Sequence, residues 1–195
     1  MKKNRKEELQ WIVSVGQGDH WAFEALFREY YLPLTRFAWR YVESKAVAEE
    51  LVQEIFSEIW EDRAELNITE SVRSYLYKAV KHRSLNYLKH QRIQYKYDTQ
   101  WMDKREKVST IEYRDPGHIE QIKEAIRAAI EELPPRSRMT YKLHRYDGLT
   151  YQEIAEVMDI SIKTVESQMT RTLQMLRERL SYLLPLLLVA VVVAG

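Results

Sequence analysis

The chain has 195 residues, a formal net charge of +1 and no cysteine. A chain of this length forms one ordinary domain or two small ones. The absence of cysteine excludes disulfides and thiolate metal sites and fits a reducing cytoplasm. Basic residues near the N-terminus are not followed by an apolar segment, so we expect no secretion signal there.

Charge is arranged in two adjacent blocks of opposite sign. Residues 43–70 contain nine acidic and two basic residues, whereas residues 72–97 contain seven basic residues and no acidic one. Solvated helix faces would explain either block alone. Side by side, the blocks predict two different partners, one of which is polyanionic.

The first predicted helices lie between residues 21 and 41. Apolar side chains from Trp21 to Tyr30, and again from Leu34 to Tyr41, recur at helical spacing. Pro33 stands between the two runs and predicts a break or kink, because its ring removes a backbone donor.

The acidic block contains a predicted amphipathic helix over residues 46–60. Val47, Leu51 and Ile55 belong to one continuous apolar face. The opposite face carries polar side chains that do not pack in the core, and it is therefore a candidate binding surface. Its members are Glu50, Gln53, Glu54 and Ser57.

After a predicted loop at residues 67–71, a basic helix is predicted from about Val72 to Ile93. Its basic residues are interleaved with tyrosines such as Tyr75 and Tyr87, although each of these could equally be a core contact. Basic groups attract phosphate and aromatic rings stack on unpaired bases, so the mixture is typical of binding to single-stranded or melted DNA. The candidate contact residues are Lys78, Lys81, His82, Arg83, Asn86, Lys89 and Arg92.

Residues 98–117 lose hydrophobic periodicity and end in a Pro-Gly turn signal, which predicts a flexible linker. Fully extended, the segment reaches about 66 Å, roughly two turns of duplex DNA. A helix from His118 is stopped by Pro134-Pro135, and another is predicted from Arg136 to Tyr146.

The stretch from Leu149 to Leu180 has the pattern of a helix-turn-helix. Asp159-Ile160-Ser161 is the predicted turn, and Ser161 can cap the second helix. The predicted buried stripe of that helix is Val165, Met169, Leu173 and Leu176.

Polar side chains off this stripe would face outward together, where they can bond base edges and phosphates in a DNA major groove. They are Lys163, Thr164, Ser167, Gln168 and Arg171. An ordinary helical hairpin with a polar outer face is the alternative interpretation.

Residues 183–194 lack charged and hydrogen-bonding side chains. As a helix they would extend about 18 Å, short of the roughly 30 Å hydrocarbon core of a bilayer, so we expect no membrane span. We expect this tail to fold back on the chain or to dock on a partner.

Without a strand pattern of useful length outside Val189–Val193, the expected fold is all-α, with two small helical domains joined by a flexible linker. The expected parts are a helical domain at 1–97, the linker at 98–117, a helix-turn-helix domain at 118–181 and the apolar tail at 182–195.

Taken in order, these elements resemble an extracytoplasmic-function sigma factor of bacterial RNA polymerase. The most specific strings are AEELVQEIF at 48–56, SYLYKAVKHRSLNYL at 74–88, ELPPRSR at 132–138 and LTYQEIAEVMDISIKTVESQMTRTLQMLR at 149–177. The resemblance implies that the first string docks on core RNA polymerase, that the second contacts and opens the −10 element, and that the last reads the −35 element.

The implied partners are therefore core RNA polymerase, promoter DNA and an anti-sigma factor, with no cofactor and no small-molecule substrate. The main alternative is an operator-binding transcription regulator that never contacts polymerase. Such a regulator would not require the acidic helix joined to the basic one. The five histidines are scattered without a metal or nucleophile motif, so we expect no enzymatic activity.

Overall fold

The computed structural model describes residues 5–66, 68, 71–97 and 118–181, and these residues contain helices and no strand, which confirms the all-α class. The helices are α1 (Arg5–Gly16), α2 (His20–Val42), α3 (Lys45–Glu61), α4 (Val72–Tyr97), α5 (His118–Glu131), α6 (Pro135–Arg145), α7 (Tyr151–Met158) and α8 (Ile162–Leu180), with a short 3-10 helix at Arg63–Glu65. The predicted linker, the apolar tail and most of the loop at 67–71 lie outside the described residues.

Backbone contacts divide the chain into two compact units. The first comprises Met1–Trp101 together with Gln152–Asp159, and the second comprises Met102–Tyr151 together with Ile160–Gly195. The domain boundaries predicted from the sequence differ from this division, because they place all of residues 118–181 in one domain. Within the first unit, Ser71 Oγ donates to the Glu153 carboxylate at 2.5 Å, and Lys81 Nζ donates to the Val157 carbonyl at 2.9 Å.

Helix α3 confirms the predicted amphipathic helix to within one residue at each end. Ser44 caps it by accepting a hydrogen bond from the Val47 N–H at 3.5 Å. Its buried residues are Ala48, Leu51, Val52, Ile55, Phe56 and Ile59. Burial of a large apolar side chain contributes roughly 1.5–3 kcal/mol. The packing of this face, together with the contacts between α3 and its neighbours α2 and α4, leaves the polar face exposed.

Helix α2 runs through Pro33, so the predicted break is wrong. A proline in a helix interior removes one backbone hydrogen bond and clashes with the preceding turn, at a cost of about 3 kcal/mol. Tyr30, Leu34 and Phe37 are all buried on either side of the proline. Their shared packing against the rest of the first unit offsets that cost and keeps the helix continuous.

Trp21 is 80% exposed, although it belongs to the apolar side chains that recur at helical spacing. Asp19 caps α2 by accepting hydrogen bonds from the Trp21 and Ala22 N–H groups at 2.8 and 3.3 Å. The cap sets the rotation of the first turn, in which Ala22 takes the buried position and Trp21 faces solvent.

Helix α1 was not anticipated from the sequence. It buries Ile12 and Val15, and it also buries Glu8, which is only 4% exposed. The Glu8 carboxylate lies 3.5 Å from the guanidinium of Arg73 on α4. Beside them, burial raises the pKa of the Tyr30 hydroxyl well above its ordinary value. An ion pair removed from water therefore joins α1 to α4.

In the second unit, α5 and α6 both contact α8. Its hydrophobic cluster consists of Ala129, Ile130, Leu133 and Leu176, with Tyr141, Met175 and Leu180 packed against it. The predicted buried stripe of α8 is wrong at one position, since Leu173 is 48% exposed and Thr172 is fully buried. At about 100° per residue, position 172 lies about 20° from Val165 around the helix, whereas position 173 lies about 80° away.

We expect Arg73→Leu to lower the free energy of unfolding by roughly 3–5 kcal/mol, because it leaves the Glu8 carboxylate buried without its cation. The double variant Glu8→Leu/Arg73→Leu should recover most of that loss, since no unpaired charge remains. Urea unfolding followed by circular dichroism measures both values. An Arg73→Leu variant as stable as the parent chain would contradict the pairing.

Candidate functional surfaces

The connection between α7 and α8 has the predicted turn geometry. Asp159 adopts a left-handed backbone conformation with φ of 60°, which aspartate tolerates better than most residues. Ser161 Oγ accepts a hydrogen bond from the Thr164 N–H at 3.1 Å, so the predicted cap of α8 is confirmed. The chain thus forms a helix, a three-residue turn and a second helix that starts on a capped end.

Four of the five side chains predicted to read DNA are exposed on α8: Lys163, Thr164, Ser167 and Arg171. The fifth, Gln168, is half-buried, and its side-chain oxygen accepts a hydrogen bond from Thr140 Oγ1 on α6 at 2.7 Å. This bond holds Gln168 at the edge of the exposed face, so the four exposed side chains form the candidate reading face.

The seven candidate side chains of α4 lie at different angles around the helix. At about 100° per residue, five of them fall on one face about 120° wide, which we call the basic face. Its members are Lys78, His82, Asn86, Lys89 and Arg92, and all except the half-buried Lys78 are exposed. Lys81 and Arg83 lie on either side of this face. Lys81 is bonded to the Val157 carbonyl, as described above.

Arg83 turns away from the basic face and toward α3. Its guanidinium donates to the Glu54 carboxylate at 2.9 Å and also to the Glu58 carboxylate. The hydrogen bond to Glu58 raises the pKa of Arg83 above its ordinary value, so the guanidinium stays charged. Arg83 was predicted to contact DNA because its neighbours in the sequence are basic, and no feature of the sequence indicates a partner on another helix.

The tyrosines of α4 do not form one exposed series. Tyr77 is buried, with its ring 4.9 Å from that of Phe37 on α2, so it is a core residue and unavailable for base stacking. Tyr75 is 38% exposed and Tyr87 is half-buried. The predicted aromatic contribution to single-strand binding is therefore smaller than the sequence indicated.

The polar face of α3 lines a shallow groove of about 530 Å³. All four predicted residues, Glu50, Gln53, Glu54 and Ser57, line it, and Glu58 and Arg83 complete it. Gln53 Nε2 donates to the Tyr31 hydroxyl at 3.3 Å, which orients the amide at the groove wall. We call this set of six residues the acidic groove.

Two family models match the chain at the places where these surfaces lie. The model of sigma-70 region 2 matches residues 26–93, and the model of sigma-70 region 4 matches residues 123–176. The chain is also 29% identical over 167 residues to the ECF RNA polymerase sigma-E factor of Escherichia coli (strain K12), covering 82% of this chain and 87% of that protein.

The chain belongs to the extracytoplasmic-function sigma factors of the sigma-70 family. It is also 26% identical over 147 residues to the RNA polymerase sigma factor SigV of Bacillus subtilis (strain 168), covering 75% of this chain and 83% of that protein. The region 2 match includes the acidic groove and the basic face, and the region 4 match includes the reading face of α8.

Two solved structures share the fold of this sigma factor. CnrH, solved with the cytosolic domain of CnrY, has a TM-score of 0.58 at 16% identity, covering 90% of this chain and 98% of CnrH. The sigma factor RpoE of Bartonella quintana, solved with the anti-sigma factor NepR, has a TM-score of 0.56 at 17% identity. The match covers 82% of this chain and 96% of RpoE. At these identities the likeness concerns the fold.

Among the described residues, none of the helices combines the length and the hydrophobicity that a membrane span requires. In the same part of the chain, no three His, Asp or Glu side chains are grouped so that they could hold a metal ion.

We expect Ser161→Ala to lower the free energy of unfolding of this sigma factor by about 1 kcal/mol, because the first turn of α8 loses its side-chain acceptor. Ser167→Ala, at an exposed position inside the same helix, is the matched control and should be neutral or slightly stabilising. Chemical denaturation of both variants gives the difference. Equal stabilities would show that the hydrogen bond from Thr164 has no energetic role.

Proposed function

We propose that this sigma factor binds core RNA polymerase through the acidic groove and recognises promoters through two separate surfaces. The basic face of α4 would engage and open the −10 element, and the reading face of α8 would contact the −35 element. The observation that carries the proposal is that the face of α3 opposite its buried stripe is exposed and acidic, while α4 beside it exposes basic and amide groups. An operator-binding regulator has no need of that pair of surfaces.

The two surfaces proposed to bind DNA carry side chains that can bond phosphates and bases. Lys89 and Arg92 can neutralise phosphates, and Asn86 supplies an amide that both donates and accepts hydrogen bonds. On α8, the Arg171 guanidinium can form two hydrogen bonds with a guanine edge, whereas the Lys163 ammonium acts as a point charge suited to phosphate. The reading face thus combines one group for base discrimination with others for position on the duplex.

We also propose that residues 1–97 and 118–181 act as two functional domains, which the separate family matches at 26–93 and 123–176 support although Gln152–Asp159 clusters with the first unit. An anti-sigma factor would regulate this sigma factor. Support for the regulator comes from the two solved proteins of the same fold, since RpoE was solved with an anti-sigma factor and CnrH with the cytosolic domain of CnrY. As a DNA-binding initiation factor, the chain would act in the cytoplasm without catalysing a reaction of its own.

Transcription reconstituted from purified core polymerase, the full chain and a panel of promoter variants tests the function directly. We expect initiation to require the chain. Arg171→Ala should cost about 1–3 kcal/mol and relax preference at one upstream base pair, while Lys163→Ala should weaken all promoters alike. Arg177→Ala, also exposed on α8, is the control. An Arg171→Ala variant with unchanged preference across the whole panel would refute the assignment of Arg171.

A second prediction concerns the proposed role of the basic face in promoter opening. Lys89→Gln/Arg92→Gln should reduce open-complex formation more than initial recruitment, because recruitment also depends on core binding and upstream contacts. Permanganate reactivity of unpaired thymines reports the melted region. Lys123→Gln/Arg127→Gln removes two exposed basic groups from α5 and serves as the control. Normal melting in the α4 variant would eliminate the strand-opening role.

A further inference from the structure

Among the residues that the structure describes, Arg83 is the one basic group that lines the acidic groove. Its guanidinium is bonded to Glu54 and Glu58, and its side chain is 32% exposed. The two carboxylate side chains are 46% and 53% exposed, so solvent and a partner can reach both of them. Arg83 therefore occupies acceptors that face outward, and these acceptors belong to the surface proposed to bind polymerase.

Arg83 lowers the net negative charge of the acidic groove. Three carboxylates line it, those of Glu50, Glu54 and Glu58, and the single guanidinium offsets one of their charges. Exposed ion pairs are worth about 0.2–1 kcal/mol each, so cations on a partner can replace Arg83 at these carboxylates without a large cost. An arginine side chain stays protonated at physiological pH whether or not it is paired, so the displaced guanidinium continues to repel those cations.

We propose that Arg83 is a built-in counter-ion of the acidic groove and that the partner surface which fits this groove is basic. The inference rests on the proposed docking of polymerase at α3. In the free chain, Arg83 holds the carboxylates of Glu54 and Glu58. In the complex, arginine or lysine side chains of the partner take over those carboxylates. Arg83 thereby lowers the affinity of the groove for basic surfaces and makes binding less dependent on salt.

The experiment measures the affinity of the full chain for purified core polymerase at several salt concentrations. Arg83→Gln should tighten binding about three- to fivefold at low salt, which corresponds to one or two exposed ion pairs released for the partner. The dependence of log Kd on log salt should become steeper, because one more unneutralised carboxylate contributes. Arg83→Lys keeps the charge and should stay close to the parent chain.

Arg28→Gln is the matched control, because it removes an exposed arginine that is paired with Glu24 at 2.6 Å on α2, outside the groove. We expect it to leave both the affinity and its salt dependence unchanged. If Arg83→Gln weakens core binding with an unchanged salt slope, Arg83 is only a structural brace between α3 and α4. If it leaves core binding unaltered and impairs promoter opening, Arg83 is a DNA contact. Either result overturns the counter-ion role.

A charge-reversed groove separates this inference from the proposed function. Glu50→Lys/Glu54→Lys should weaken core binding partially, without loss of helix content, if α3 docks on polymerase, because exposed charge pairs are screened by salt. Unchanged binding in that variant means that the docking surface lies elsewhere, and the proposed function of the groove fails. Weakened binding there, together with no tightening by Arg83→Gln, overturns the counter-ion role alone.

Discussion

Burial of one stripe of α4 determines how the charged side chains of the first unit are distributed. Leu76, Tyr77 and Val80 are all fully buried or nearly so, and α4 contacts both α2 and α3. Once these side chains are packed, the rotation of the helix is set. Lys89 and Arg92 must then face solvent, and Arg83 must face the carboxylates of α3. The surfaces proposed to bind DNA and polymerase are thus consequences of how the core is packed.

The seven basic residues of 72–97 show why charge counted along a sequence differs from charge presented on a surface. Arg73 is paired with Glu8 inside the first unit, and Arg83 is bonded to Glu54 and Glu58. Lys81 donates to a backbone carbonyl. A basic block predicts a polyanionic partner only for the part of its charge that remains exposed after packing. Among the described side chains of α4, that part lies on the basic face.

Sequence periodicity predicted the elements whose buried stripe is long and regular. Helix α3 was predicted to within one residue at each end, and the cap and turn of α8 were predicted from Ser161 and Asp159 alone. The errors have two causes, which are tertiary packing and the rotation of successive residues around a helix. Pro33 stays inside a helix because its neighbours are buried, and Thr172 replaces Leu173 in the stripe because helix geometry takes precedence over hydrophobicity there. Helix α1 was missed because one of its buried groups is a charged glutamate.

The two charged surfaces of the first unit lie close enough to influence each other. Packed helices are separated by 8–10 Å, and the screening length at physiological salt is about 8 Å, so charges on α3 are only partly screened at α4. Phosphates held at α4 would be repelled by carboxylates on α3 if those carboxylates carried no counter-ion. Glu54 and Glu58 are the carboxylates bonded to α4, and Arg83 neutralises part of their charge. An arginine in this position lets one small helical bundle present an acidic surface and a basic surface on neighbouring helices without either surface cancelling the other.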